Sequence, residues 1–275
     1  MFDDTPSRQR DRRQRILAVA LLVLAVVVGA SVGILRWRAE ATAVRLGSEG
    51  CPADRPPSAF ELVLVDASEG FNDAQRLFLE KFYADLDASI PDHAKVAVYV
   101  LDGRSGADLP APIFVRCKPP SGKEASAWTQ NPARLERAWR SSFREPLERA
   151  LESSLSRPSS AESPIMAVLQ KAVLAELPAN ATETPRRIVL ISDLLEHTKA
   201  YSQYGSSPPD FAAFRRQPFA QHLRVDLTGV DVDVLYVSRP GHEKVQGARH
   251  LEFWKEYFVW LGAGALRLRI TPVPG

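Results

Sequence analysis

Sulfur is scarce in this sequence. Two cysteines, Cys51 and Cys117, stand in 275 residues, and their spacing is not that of a zinc site, which needs further Cys or His ligands nearby. Two readings stand for the pair: one disulfide, which an oxidising compartment permits, or two unpaired thiols. Excess charge is absent as well. The formal net charge is +2, and Arg8, Arg10, Arg12, Arg13 and Arg15 set against Asp3, Asp4 and Asp11 account for all of it. The remainder is formally neutral, so no global electrostatic footprint for nucleic acid exists and no nucleic-acid partner is expected. Also missing are a G-x-S-x-G elbow, a Gly-rich phosphate loop and an H-E-x-x-H pair. No internal repeat occurs. What remains is ordinary globular composition, 45% hydrophobic and 25% charged, in a chain long enough to bury a core.

Between residues 16 and 35, ILAVALLVLAVVVGASVGIL, charge of either sign is lacking. Such a run has about the length of roughly 20 residues that a helix needs to cross a hydrocarbon core. It also lacks the polar face that a soluble amphipathic helix carries. A cleaved signal peptide is the rival reading, with Val28-Gly29-Ala30 as a small-residue cleavage site. The run continues past that site to Leu35, however, and Arg36, Trp37 and Arg38 follow it, which suits an uncleaved anchor whose flanks lie at the interface. The arginine-rich tail then stays inside by the positive-inside rule, and Arg36, Arg38 and Arg45 weaken that bias without reversing it. The expected organisation is a cytoplasmic tail over 1–15, a transmembrane anchor over 16–36, a tether over 37–58 containing CPADRPPS, and one domain over 59–275. The expected location is the cytoplasmic (inner) membrane, single-pass, with the domain in a periplasm or extracellular space.

From Phe60 the pattern changes. FELVLVDAS (60–68) is a continuous apolar strand of the kind buried on both faces of a parallel sheet. Leu77, Phe78, Phe82 and Leu86 follow at helical spacing, and Asn72 with Gln75 forms a capping-box pattern that starts the helix at Asp73. KVAVYVLD (95–102) and PIFVRCK (112–118) are the next strands, joined by a link too short for a crossover and therefore antiparallel. Leu135, Trp139, Phe143, Leu147, Leu151 and Leu155 recur every fourth position, with Pro146 set to kink or restart that helix. Ser163-Pro164 opens another, turning Ile165, Met166, Leu169, Val173 and Leu177 inward. RRIVLISD (186–193), VDVDVLYVSRP (230–240) and ALRLRITPV (265–273) complete the strands, and HLEFWKEYFVWLGAG is a helix closed by glycine. Strands alternating with helices predict an α/β sandwich with a mostly parallel sheet.

Three features in order, a first strand ending in DASEG, a fourth ending in LISD and a terminal FWKEYFVWLGAGALRLRI, resemble a von Willebrand factor A-type (VWA) domain across most of residues 60–273. The resemblance implies a doubly wound, Rossmann-like α/β fold, a mostly parallel six-stranded sheet with one antiparallel edge strand and helices on both faces, preceded here by the transmembrane helix. It also implies a metal-ion-dependent adhesion site. Asp66 and Ser68 match the first two positions of its D-x-S-x-S loop, Ser163 fills the threonine position and Asp193 the final aspartate. The third loop position is Gly70, which has no side-chain oxygen, so the site is a degenerate one. Hydroxyl and carboxylate oxygens suit Mg²⁺ or another divalent cation, and the loops lie at the carboxyl ends of strands, where open α/β sheets bind ligands. A metal-free polar loop is the other reading: Asp66 and Asp193 would bond loop amides, Ser68 a local turn, and Ser163 would be an N-cap with proline at N1.

After Asp193, LLEHTKAYSQYGSSPPDFAAFRRQPFAQHL forms a long connection carrying aromatics beside a polar rim, as partner surfaces do. Phe211 and Phe214 are expected to pack a short helix onto the core. Glu69, Glu196, His197, Tyr201 and Tyr204 are the expected partner-facing residues. The resulting expectation is a membrane-tethered binding module, not an enzyme, that docks a protein partner in the cell envelope. The alternatives are a phosphohydrolase using Asp66 as nucleophile, which would want a second acid where Ser68 stands, and a purely structural component of an envelope complex.

Overall fold

A computed structural model of the protein describes residues 5–41, 46–47, 49–103, 106–123, 131–156, 160–205 and 209–275. The chain forms two compact units, Met1–Arg45 and Leu46–Gly275. The first is helix α1, Thr5–Ala41. Within it Gln14–Arg38, 25 residues, is the one stretch among the described residues long and apolar enough to cross a membrane. Its apolar side chains are exposed all round, as a lipid-facing helix requires. The helix outruns the expected 16–36 at both ends because its polar flanks are themselves good helix formers.

The second unit is a six-stranded sheet in the order β3-β2-β1-β4-β5-β6. Its strands are β1 Phe60–Asp66, β2 Lys95–Leu101, β3 Phe114–Cys117, β4 Arg186–Ser192, β5 Val230–Val237 and β6 Leu268–Val273. Every pairing is parallel except β2 with β3, the antiparallel edge that the short link anticipated. All seven residues of β1 are buried because the sheet is covered on both faces. Leu62 and Leu64 enter the layer built by α5 (Ile165–Glu176), α6 (Phe211–Arg215), α7 (Pro218–His222) and α8 (Ala248–Trp260). Val63 and Val65 enter the layer of α2 (Asp73–Ser89), α3 (Pro132–Trp139) and α4 (Glu145–Ser154).

The capping box at Asn72 is present in both directions, Gln75 N–H to Asn72 Oδ1 at 2.9 Å and Asn72 N–H to Gln75 Oε1 at 3.1 Å. The stripe of α2 matches expectation at Leu86, and at Phe78 and Phe82, which pack partly buried against the core, but not at Leu77. Leu77 is 70% exposed, and Leu79, Tyr83 and Leu86 supply the buried line, since only one arc of the helix faces the sheet. The four-residue stripe has a structural cause. Between α3 and α4 the chain takes one wide π turn, Arg140–Arg144, closed by Glu145 N–H to Arg140 O. Pro146 has no N–H to offer Ser142 O, and its ring crowds that carbonyl. The wide turn accommodates the proline and keeps Trp139, Phe143, Leu147 and Leu151 all buried. In α8 the turn is ended by Gly262 at φ +96°, where a Cβ would meet Thr228 Oγ1 at 2.9 Å.

The expected tether over 37–58 is shorter than its composition suggests. Leu46 pairs with Pro52, Cys117 N–H bonds Glu49 O at 2.9 Å, and Cys51 is joined to Cys117 by a disulfide. Cys117 lies opposite Lys95 in the β2–β3 ladder, so the bridge fastens the incoming chain to the edge strand at the amino end of β2. The alternation seen in VDVDVLYV also has a partner set: Asp233 Oδ2 accepts from Arg187 Nε at 2.7 Å and Arg269 Nη2 at 2.8 Å, a charged ladder across β4, β5 and β6.

Candidate functional site at the carboxyl ends of the strands

β1, β4 and β5 deliver their ends side by side, because β1 neighbours β4 and β4 neighbours β5. Asp66 is the last residue of β1 and is 0% exposed. Its Oδ1 accepts Ser68 N–H at 3.1 Å and its Oδ2 accepts the Ser192 hydroxyl at 2.7 Å. The Ser163 hydroxyl approaches Oδ2 at 3.3 Å. Ser163 is therefore not the N-cap of α5. Pro164 occupies that position without a side-chain cap, and the Ser163 backbone pairs with His197 in a two-bond antiparallel bridge of 2.8 and 3.0 Å. The orphan amides of α5 find another acceptor. Met166 N–H donates to Glu196 Oε2 at 2.9 Å, placing a carboxylate at the positive end of the helix dipole.

Asp193 is 1% exposed. Its Oδ1 accepts Leu195 N–H at 2.9 Å and its Oδ2 accepts Arg239 Nε at 2.7 Å. Burial and the neighbouring Asp66 push the Asp193 carboxyl up, and the Arg239 guanidinium draws it back down. Leu194 between these groups has φ +60°, a left-handed backbone that a branched side chain adopts only when its surroundings enforce it. Here Leu194 N–H is held by Ser192 Oγ at 2.8 Å and Leu194 O by His250 Nε2 at 3.0 Å.

Arg239 follows β5, in the stretch VSRPG, and reaches back into the DASEG loop. Besides Asp193, its Nη2 donates to Glu69 O at 3.2 Å, its Nη1 donates to Gly70 O, and its guanidinium carbon stands 5.4 Å from the centre of the Phe71 ring. Arg239 N–H in turn bonds Gln246 Oε1 at 2.7 Å, and Gln246 Nε2 bonds Asp193 O at 3.0 Å. Gln203 Oε1 gathers Trp254 Nε1 at 3.3 Å and His250 Nε2 at 3.0 Å. Buried polar groups must be partnered in this way or they destabilise the fold.

Of the residues singled out from sequence, Asp66, Ser68, Ser163 and Asp193 do converge, all buried. Glu196, expected on the partner-facing surface, is 2% exposed and caps α5; burial raises its carboxyl to about 8. Tyr201, also expected there, turns inward because the loop folds back on the core. Its ring lies 5.0 Å from Phe214 and 5.9 Å from Phe219. The short helix carrying Phe211 and Phe214 packs onto the core as expected. Glu69, His197 and Tyr204 remain at the rim. Tyr204 Oη donates to Glu69 Oε1 at 3.0 Å, and its ring is met edge-on by His197 and by His242, each 5.2 Å away. Ser192, Arg239, Gln203, His242 and His250 were not singled out from sequence. Arg239 had one signal, its place at the carboxyl end of a parallel strand.

Donors inside the protein already engage much of the oxygen set that a divalent cation would need. An octahedral Mg²⁺ needs several oxygens with free lone pairs at roughly 2.0–2.1 Å. Asp66 Oδ2 and Ser163 Oγ face each other, Asp193 accepts from Leu195 and Arg239, and the third loop residue offers only a carbonyl, itself bonded to Arg239. Among the described residues no group of three or more His, Cys, Asp or Glu side chains is placed to hold a metal.

No family model matches the chain, and no curated protein matches it in sequence. Among solved structures it is similar to the VWA domain of SpRpn10, with a TM-score of 0.38 and 12% identity over 78% of this chain and 89% of that one. The likeness concerns the fold alone.

Proposed function

We propose that this protein is a membrane-anchored binding module, not an enzyme, which docks a protein partner of the cell envelope through the strand-end loops. The observation that carries the reading is the rim around Tyr204. A half-exposed phenol, two imidazoles and the Glu69 carboxylate stand over a buried polar framework that fixes their positions. Aromatic side chains on a rigid, polar-rimmed mount are what interface hot spots are made of. A nucleophilic role for Asp66 is disfavoured by burial: at 0% exposure, with its oxygens facing Ser68, Ser163 and Ser192, it has no path to a substrate. The placement outside the cytoplasmic membrane is supported by the apolar helix, the arginine-rich tail before it and the Cys51–Cys117 bridge, which persists in oxidising compartments.

Site-specific photo-crosslinking in native membranes tests the docking face. A crosslinker at Tyr204 or His242 is expected to give a discrete adduct, while one at Leu174, exposed on α5, gives none. Equal labelling from all three positions, or none from any, rules out the strand-end face as the docking surface.

A further inference from the structure

We infer that Arg239 is the resident cation of the strand-end site: a guanidinium fixed to the chain does there what a diffusible divalent ion would otherwise do. The position carries the inference. Two buried carboxylates, Asp66 and Asp193, stand at adjacent strand ends, and such a pair needs positive charge close by. Arg239 brings it. The side chain is 4% exposed, its Nε is 2.7 Å from Asp193 Oδ2, and its two terminal nitrogens bond the carbonyls of Glu69 and Gly70 in the loop after Asp66. One group therefore draws the β1 loop, the β4 end and the β5 end together, as a multidentate ion would. It presents a planar fork of donors that matches carboxylate and carbonyl oxygens.

Gly70 fits the same account. Its φ is not in the left-handed region, and nothing lies within 4 Å of where a Cβ would stand. Neither backbone strain nor packing excludes serine there, so the missing hydroxyl is a matter of chemistry. With Arg239 bonded to the Gly70 carbonyl, a hydroxyl ligand has no ion to serve. A further consequence concerns what reaches the surface. Three of the five guanidinium N–H groups bond inside the protein and the side chain is 4% exposed, so little of it is open to a partner's carboxylate. A partner meets Glu69, Tyr204 and His242 instead. The inference is independent of the docking reading and holds whether or not the rim binds anything.

Thermal melts of the full chain in detergent micelles, with EDTA or with millimolar Mg²⁺ or Mn²⁺, test it against Arg239→Gln. The wild type is expected to melt at the same temperature in all three conditions. Arg239→Gln is expected to melt several degrees lower in EDTA and to recover part of that loss in Mn²⁺, by mass action at the vacated charge. A wild type that gains several degrees with either cation, or loses them to EDTA, overturns the inference. So does an Arg239→Gln protein that folds but ignores Mn²⁺. Should that variant fail to fold, calorimetric titration of Mn²⁺ into the wild type decides alone: heat with a stoichiometry near one refutes the resident guanidinium, and no heat upholds it.

Discussion

The two ends of the sheet solve the same problem by different means. At the amino ends, polar groups bond in small separate sets, and buried atoms such as Asp87 Oδ1 and Arg186 Nε have no hydrogen-bond partner. Lys118 Nζ donates to Asp87 O at 2.6 Å and Ile90 O at 2.8 Å, closing the carboxyl end of α2, and Tyr99 Oη donates to Glu176 at 2.6 Å. The disulfide adds a covalent tie. At the carboxyl ends nothing is covalent, and the buried groups form one connected set running from Asp66 through Ser192 and Leu194 to His250, and from Asp193 through Arg239 to the Glu69–Gly70 loop. A cleft of about 600 Å³ lies at the amino end beside Asp87, Lys118 and Trp139. Its buried lysine is already engaged by helix-end carbonyls. A small separate set loses few interactions when one residue is changed. A connected one leaves partners stranded, which is a large cost for stability alone and the kind of rigidity a binding rim needs.

Breaking the connected end should therefore cost most. Arg239→Met strands the buried Asp193 carboxylate and is expected to lower unfolding stability by about 3–5 kcal/mol, the usual cost of removing one partner from a buried ion pair. Adding Asp193→Leu should return part of it, since no uncompensated charge remains; chemical denaturation of both variants measures the difference. An unaltered midpoint in the single variant would mean that the two ends are not different in kind. Opening the covalent end comes next. Cys51→Ser with Cys117→Ser is expected to cost roughly 2–4 kcal/mol through the unfolded chain, while leaving the crosslinking pattern at Tyr204 unchanged. A changed pattern would show the ends to be coupled.

Acid should act on the connected end through His250. This ring is 0% exposed and neutral, accepting from Tyr236 Oη at Nδ1 and donating from Nε2 to Leu194 O and Gln203 Oε1. Burial holds its pKa down to about 4 from the ordinary 6.5. Between those values the unfolded chain binds the proton and the folded one does not, so stability falls as pH drops from 6.5 towards 4, by up to about 3 kcal/mol. The raised carboxyls of Glu61 and Glu196 have the opposite sign, being stabilised in the protonated form as pH falls from about 7 and about 8. The His250 contribution is accordingly read as a difference. Melts of wild type and His250→Gln should diverge in slope below pH 6.5, and parallel slopes would remove His250 from the account.

What could be read from the chain follows how local each feature is. β1, the Asn72–Gln75 box and the β2–β3 edge are written in contiguous residues, and the structure has each of them. The every-fourth-residue stripe was visible too, with its physical meaning, a π turn ahead of Pro146, emerging only from the hydrogen bonds. The strand-end cluster was half legible. Asp66, Ser163 and Asp193 end or begin elements, and topology alone brings such positions together. Ser192 ends β4 beside Asp66 and could have been read the same way, whereas Arg239 joins them through side-chain reach from beyond β5, and its place at a strand end was the one signal. Sequence alone places Glu196 and Tyr201 on the surface for the matching reason. Their loop looks long and polar in sequence, but the Ser163–His197 bridge and the Phe214–Phe219 pocket fold it inward.

The smallest expected change in stability belongs to the rim, and it is the one that bears on function. Tyr204 is 37% exposed, so Tyr204→Ala should shift unfolding stability by no more than about 0.5 kcal/mol, and Glu69→Gln, which also weakens a 3.6 Å approach to Arg239 Nε, by up to about 1 kcal/mol. If the connected end exists to hold this rim, the same two changes should sharply reduce adduct formation from a crosslinker at His242. Leu77→Ala, on the exposed side of α2, would set the background for an apolar surface change outside the rim. Rim variants that lose stability by several kcal/mol would instead make Tyr204 and Glu69 part of the framework, and the buried network would then have no outward face to support.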